Sequence, residues 1–211
     1  ETQDRSDSRR GLDMAGLFLT FEGGDGSGKT TQINRLVTWL ESRGQTVVLT
    51  REPGGTDLGV ELRNIVMHRK GFIAPRAEAL LYAADRSHHI HTLVRPALER
   101  GDIVVQDRYL DSSVAYQGAG RVLDPDEVRE LSLWGTERLM PDLTVLLDVP
   151  ATVAKARQAA EDRDYDRLEA EAEDFHTRVR ESYLALSDAE PERFLVVNGE
   201  LPIEEIHQVI I

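Results

Sequence analysis

Residues 23–30, GGDGSGKT, constrain this chain more than any other feature. They fit the pattern G-x-x-x-x-G-K-[ST]. Before them runs a short apolar stretch, 17–22 (LFLTFE); after them Ile33, Leu36, Val37 and Leu40 recur at helical spacing. Strand, glycine loop and helix in that order make a phosphate-binding loop. Glycines let backbone N–H groups converge on phosphate oxygens, and the helix adds its positive N-terminal end. Gly23, Gly24, Asp25, Gly26, Ser27, Gly28, Lys29, Thr30 and Thr31 are therefore the candidate nucleotide cradle. Lys29 has the reach for β- and γ-phosphates, and the Thr30 hydroxyl can ligate Mg²⁺. With glycine near roughly 7% of residues, such a match arises by chance in under about 1% of chains this size. A bare glycine turn is the rival reading.

The strand–helix alternation continues. Residues 46–50 (TVVLT), 103–105 ending at Asp107, 143–149 (LTVLLDV) and 194–197 (FLVV) read as four more buried strands. Pro75 opens a helix with Leu80, Leu81 and Ala84, expected to reach about Arg95. Pro125 opens another, with Val128, Leu131 and Leu139 on its apolar side. Fully apolar strands separated by helices imply a parallel sheet covered on both faces. The expectation is a single α/β domain over 17–211, with the phosphate-loop NTPase fold, five parallel strands and a short lid at about 154–168. Residues 1–16 are polar, charged and aperiodic, and read as a disordered tail: a tag remnant, a linker or the end of a longer chain. Helical spacing still continues where the sequence stops.

Composition narrows the function classes. Lys and Arg total 25 against 38 Asp and Glu, a formal charge of −13. That field opposes general nucleic-acid binding. With no cysteine, disulfide scaffolds, thiol nucleophiles and thiolate zinc sites are excluded. No apolar run approaches the roughly 18 residues of a membrane helix, so membrane contact is not expected and a cytoplasmic location is.

The loop alone does not separate GTPases, transporters and small-molecule kinases. No N-K-x-D or L-S-G-G-Q motif occurs, which argues against the first two. Three further stretches decide: 50–56 (TREPGGT), 80–88 (LLYAADRSH) and 107–118 (DRYLDSSVAYQG). Together with GGDGSGKT, in this order and spacing, they resemble the bacterial thymidylate kinase family. A fifth stretch, 154–169 (AKARQAAEDRDYDRLE), resembles that family's lid and its D-R-[IL]-E ending.

The resemblance implies phosphorylation of dTMP by ATP with Mg²⁺, in a homodimer packed through the helix from Pro75. It also implies roles. The phosphate loop has no arginine, so the chain resembles the type whose catalytic arginine lies in the lid, Arg157 or Arg163. Arg108 would clamp the acceptor phosphate, with Asp25 and Asp107 holding Mg²⁺ waters or orienting that arginine. Arg51 and Glu52 would border the acceptor pocket. Tyr82 takes the place of the stacking aromatic, usually Phe, and Arg86 that of the thymine-contacting arginine. Ser113 and Gln117 would complete the contacts to thymine, and Tyr116 would crowd out a ribose 2′-hydroxyl. Glu169 matches a lid glutamate near Mg²⁺. His88, His89 and His91 diverge around a helix and read as solvated or capping rather than zinc ligands. Two rivals stand beside this reading: another nucleoside monophosphate kinase, and a catalytically silent nucleotide-binding domain of a longer protein.

Overall fold

The computed structural model describes residues 16–160 and 166–211. Five parallel strands, β1 (Leu17–Glu22), β2 (Val47–Arg51), β3 (Ile103–Asp107), β4 (Leu143–Asp148) and β5 (Phe194–Asn198), form one sheet in the order β2-β3-β1-β4-β5. All five lie within a residue of their expected bounds. Phe21 pairs with Asp107, Arg51 with Asp107, and Glu22 with Leu146, so the carboxyl ends of β1, β2, β3 and β4 are level. The segments that leave those ends therefore gather at one edge, where ligands bind in such sheets.

Strand alternation assigns the two faces. Leu19 and Phe21 of β1 pack with Val105, Val145 and Leu147 under Ile33, Leu36 and Leu40 of α1 (Lys29–Glu41) and Ile206 of α9 (Ile203–Ile210). Phe18 turns the other way, onto Val104, Val94 and Leu98. Glu22 shares that second face, a carboxylate at the end of an apolar strand and fully buried.

Three expectations need correction. The helix from Pro75 is not continuous to Arg95. The α-helix α3 ends at His89, a π-helical turn follows at Ile90–Val94, and α4 spans Arg95–Glu99. Pro96 has no N–H for the carbonyl one turn back, so the ladder widens there. Second, Leu80 is 57% exposed, whereas Glu78, Tyr82, Asp85, Arg86 and His89 are buried. The inward face of α3 is the polar one, because its groups satisfy one another in the site wall. Third, Leu139 lies beyond α6 (Pro125–Gly135); the chain reverses through Glu137 and Arg138, both at positive φ, and returns Leu139 to the core.

After Glu169 comes a further helix, α8 (Glu173–Ala189), which buries Phe175, Val179 and Tyr183 at four-residue intervals. Between α8 and the sheet, α5 (Leu110–Ser113) carries Asp111, which accepts both Nη atoms of Arg193 at 2.7 and 2.9 Å from the start of β5. This pin fixes α5, and with it Ser112 and Ser113. Removing one partner of a buried pair leaves the other charge uncompensated. Asp111→Ala should thus cost about 3 kcal/mol, read as a lower urea midpoint at unchanged slope. A midpoint unchanged from the parent would mean the pin is dispensable.

Candidate active site

The phosphate loop joins β1 to α1 through Gly23, Gly26 and Gly28, all at positive φ, where a side chain would be strained. Gly26 has φ +81°, and a Cβ there would lie 2.6 Å from the carbonyl oxygen of Ala154 in α7 (Ala151–Ala159). Gly28 caps α1 in the left-handed region. Lys29 is buried, and its Nζ donates to the carbonyls of Gly23 and Gly24 at 3.0 and 3.1 Å. Burial, then the neighbouring Arg108, pull its pKa below the ordinary lysine value.

Two connected hollows open from the loop. An open cleft of about 730 Å³ is lined by residues 25–32, Arg51, Glu52, Asp107, Arg108, Arg157 and Glu169 among others. A narrower side pocket is lined by Tyr82, Arg86, Ser113, Tyr116, Gln117, Met67 and Leu168 among others. Asp25, Glu52 and Arg108 border both.

Arg108 stands at that junction with φ +68°, a conformation uncommon outside glycine. Its N–H donates to the carbonyl of Phe21 at 2.9 Å, which holds the backbone there. Nη2 donates to Asp25 Oδ1 at 2.7 Å and to the Tyr116 hydroxyl at 3.2 Å. Nη1 donates to Ser112 Oγ at 3.2 Å and to the Tyr183 hydroxyl at 3.3 Å. Burial raises the pKa of Asp25, but Arg108 and Lys29 outweigh it and hold the carboxyl at about 2. Asp25 and Arg108 thus form a charge-assisted pair that ties the arginine to the loop.

Beneath lies Glu22. Its Oε1 accepts from Tyr109 N at 2.8 Å, and its Oε2 from Ser112 Oγ at 2.6 Å and Tyr183 OH at 2.8 Å. Burial first, and then the Asp111 carboxylate, push its pKa up to about 7. Neither Glu22 nor Tyr183 was marked by sequence reasoning. A glutamate ending an otherwise apolar strand just before the loop was the available signal.

The side pocket is built on α3. Arg86 donates Nε to Glu52 Oε2 at 2.7 Å, Nη1 to Ser113 and Ser132 at 3.0 Å each, and Nη2 to the Tyr109 carbonyl at 3.1 Å. It is thus a wall member first, with one N–H of Nη2 left over. His89, expected to be solvated or capping, is instead fully buried: Nδ1 lies 2.9 Å from Glu52 Oε1 and Nε2 2.7 Å from Thr50 Oγ1. His91 is exposed and His88 half-buried. The Tyr82 hydroxyl is buried with no partner.

Three candidate metal ligands line the same cleft. Thr30 is exposed to it, Asp107 Oδ1 is buried without a hydrogen bond, and Glu169 accepts from Asp166 N at 3.0 Å and Gln158 Nε2 at 3.3 Å. Among the described residues, no three His, Cys, Asp or Glu group to hold a metal. That donor set fits Mg²⁺, which keeps most of its shell from water and substrate phosphates. Arg157 donates Nη2 to Gly199 O at 3.0 Å and Nη1 to Gly26 O at 3.4 Å, beside the loop. Arg163 and the tail before residue 16 lie outside the described residues. No described helix is long and apolar enough to cross a membrane.

A glycine loop with its lysine, facing a second pocket across a fixed arginine, is the arrangement expected of a phosphate-loop phosphotransferase. Comparison with known proteins carries this further. The sequence profile of the thymidylate kinase family matches residues 21–210. Thymidylate kinase of Leifsonia xyli subsp. xyli is 68% identical over 191 residues, covering 90% of each chain. That of Clavibacter michiganensis subsp. michiganensis is 64% identical and covers 93% of each. The crystal structure of thymidylate kinase from Ehrlichia chaffeensis superposes with a TM-score of 0.75 at 31% identity, over 92% of this chain and 96% of that one. This chain belongs to the thymidylate kinase family. It is an ATP-using nucleotide kinase that phosphorylates dTMP to dTDP.

The Glu22 shift has a signed consequence. Folded, the group binds its proton up to about pH 7; unfolded, it releases it near the ordinary 4.5. Its contribution to stability is complete below about 4.5 and is lost as pH rises through about 7. Glu22→Gln should remove that dependence, so the stability difference between variant and parent should widen in the variant's favour from pH 4.5 to 7. Parallel stability curves across the window would contradict the assignment.

Proposed function

We propose that ATP occupies the open cleft on the phosphate loop, that dTMP occupies the side pocket, and that the γ-phosphoryl group passes in line between them beside Arg108. The position of Arg108 carries this reading, since it borders both hollows and four side chains fix its guanidinium. A phosphomonoester has its second pKa near ~6, so the attacking oxygen is already an anion at neutral pH. No strong base is needed. The work is to bring two anions together and to stabilise charge on the group in transit, which calls for placed cations.

Lys29 neutralises the donor phosphates when nucleotide displaces the two carbonyls it now holds. Thr30 and Asp107, with Glu169 at the lid side, would hold Mg²⁺, which would supply neutralising charge to the donor phosphates. Asp107 is suited to this because its Oδ1 has no other partner. Arg108 grips the acceptor phosphate, and Arg51 and Glu52 close that end. Tyr82 stacks on thymine, while Arg86, Ser113 and Gln117 meet its polar edge. Tyr116, tied to Asp25 at 3.2 Å, stands where a 2′-hydroxyl would need room.

A lid arginine, Arg157 or Arg163, completes the transition-state charge. Alanine at the one that serves should lower kcat on the order of 10³-fold, with KM for dTMP little changed. Steady-state kinetics of Arg157→Ala and Arg163→Ala decide it, and less than a tenfold loss in both would remove the lid-arginine mechanism.

The outward face of α3 and α6 supports a homodimer. Leu80 is 57% and Trp134 81% exposed, an apolar surface of the kind that marks an interface. A two-fold contact uses the same patch on both copies. Light scattering at micromolar concentration should report a dimer, and Trp134→Arg a monomer. A monomeric parent would contradict it.

A further inference from the structure

Glu78 lies in the first turn of α3, fully buried and outside the lining of either hollow. Three donors converge on it. Oε1 accepts from Gln117 Nε2 at 2.9 Å and from Arg121 Nε at 3.2 Å, and Oε2 accepts from Arg167 Nη2. Both arginines are anchored elsewhere. Arg121 Nη1 donates to Glu171, while Arg167 Nε and N donate to the carbonyls of Val66 and Met67. The carboxylate therefore cannot swing away.

The consequence falls on Gln117. A carboxylate only accepts hydrogen bonds, so the end of the Gln117 amide that meets Glu78 must be its NH₂. The carbonyl end, Oε1, is then left as the group presented to the pocket that Gln117 lines, and it makes no hydrogen bond in the structure. We propose that Glu78 is a positioning residue for base selection: by committing the Gln117 NH₂ it presents a fixed acceptor, which welcomes a pyrimidine carrying N–H at ring position 3 and opposes one carrying a lone pair there. Thymine has that N–H and cytosine has the lone pair. A free glutamine could rotate its amide and serve both. The inference rests on the side pocket being the thymine site.

The test is kcat/KM for dTMP and dCMP in the intact chain, Gln117→Met and Glu78→Gln. Glutamine at 78 can both donate and accept, so it releases the Gln117 amide from its single orientation. The dCMP-to-dTMP ratio should rise roughly tenfold or more in both variants, the scale of one misplaced polar contact in a substrate pocket. An unchanged ratio in Gln117→Met would overturn the pocket assignment itself. A raised ratio there with an unchanged ratio in folded Glu78→Gln would overturn the role of Glu78 alone. Should Glu78→Gln not fold, side-chain NMR of the parent decides. The Gln117 amide protons should exchange slowly with water both before and after dTMP is added, while its carbonyl carbon shifts on binding. Fast amide exchange in either state would overturn the proposal.

Discussion

The ion pair between Arg108 and Asp25 is the constraint around which the rest is arranged. It joins the phosphate loop to the end of β3 at 2.7 Å, at the junction of the two hollows. An arginine buried among neutral groups would be costly; here Tyr116 and Asp25 more than offset the effect of burial and raise its pKa well above the ordinary value. The four side chains that hold it come from the loop, from α5, from the π-helical stretch Val114–Gly120 and from α8. Each element of that half of the domain is thereby referenced to one guanidinium.

The charge balance of the chain acquires a meaning from this arrangement. With a formal charge of −13, the molecule as a whole repels anions. Lys29, Arg51, Arg63, Arg108 and Arg157 nonetheless line one cleft, interleaved with Asp25, Glu52, Asp107, Asp166 and Glu169, so cations are gathered there beside the carboxylates that hold them. Fixed cations in a part-buried site act more strongly than exposed ones and need little reorganisation when charge moves. The Glu22 cluster beneath works by neutral hydrogen bonding when the carboxyl holds its proton, which avoids a second buried anion beside Asp111.

Much of this was legible in the sequence, for identifiable reasons. The strands were visible because a parallel sheet buried on both faces needs unbroken apolar runs, and LTVLLDV or LFLTFE can be little else. The phosphate loop was visible because its backbone geometry demands glycine at fixed positions. What stayed hidden was long-range pairing. Nothing local in EALLYAADR says that Glu78 and Arg86 face inward and Leu80 outward, because the partners that satisfy them are Gln117, Arg121 and Arg167 for the one and Glu52 and Ser132 for the other. His89 misled for the same reason: its partners Glu52 and Thr50 lie about forty residues earlier in the chain. Tyr183 sits in a helix whose acid-rich start reads as a solvated face, and only the packed helix reveals its hydroxyl on Glu22 and Arg108.

If Arg108 and Asp25 act as one unit, their removal cannot be additive. The direct test is a double-mutant cycle on kcat/KM for dTMP, using Arg108→Met, Asp25→Asn and the double variant. The double variant should lose about as much as Arg108→Met alone, because Asp25 acts by holding the arginine. Losses that multiply, as for two independent sites, would contradict the account.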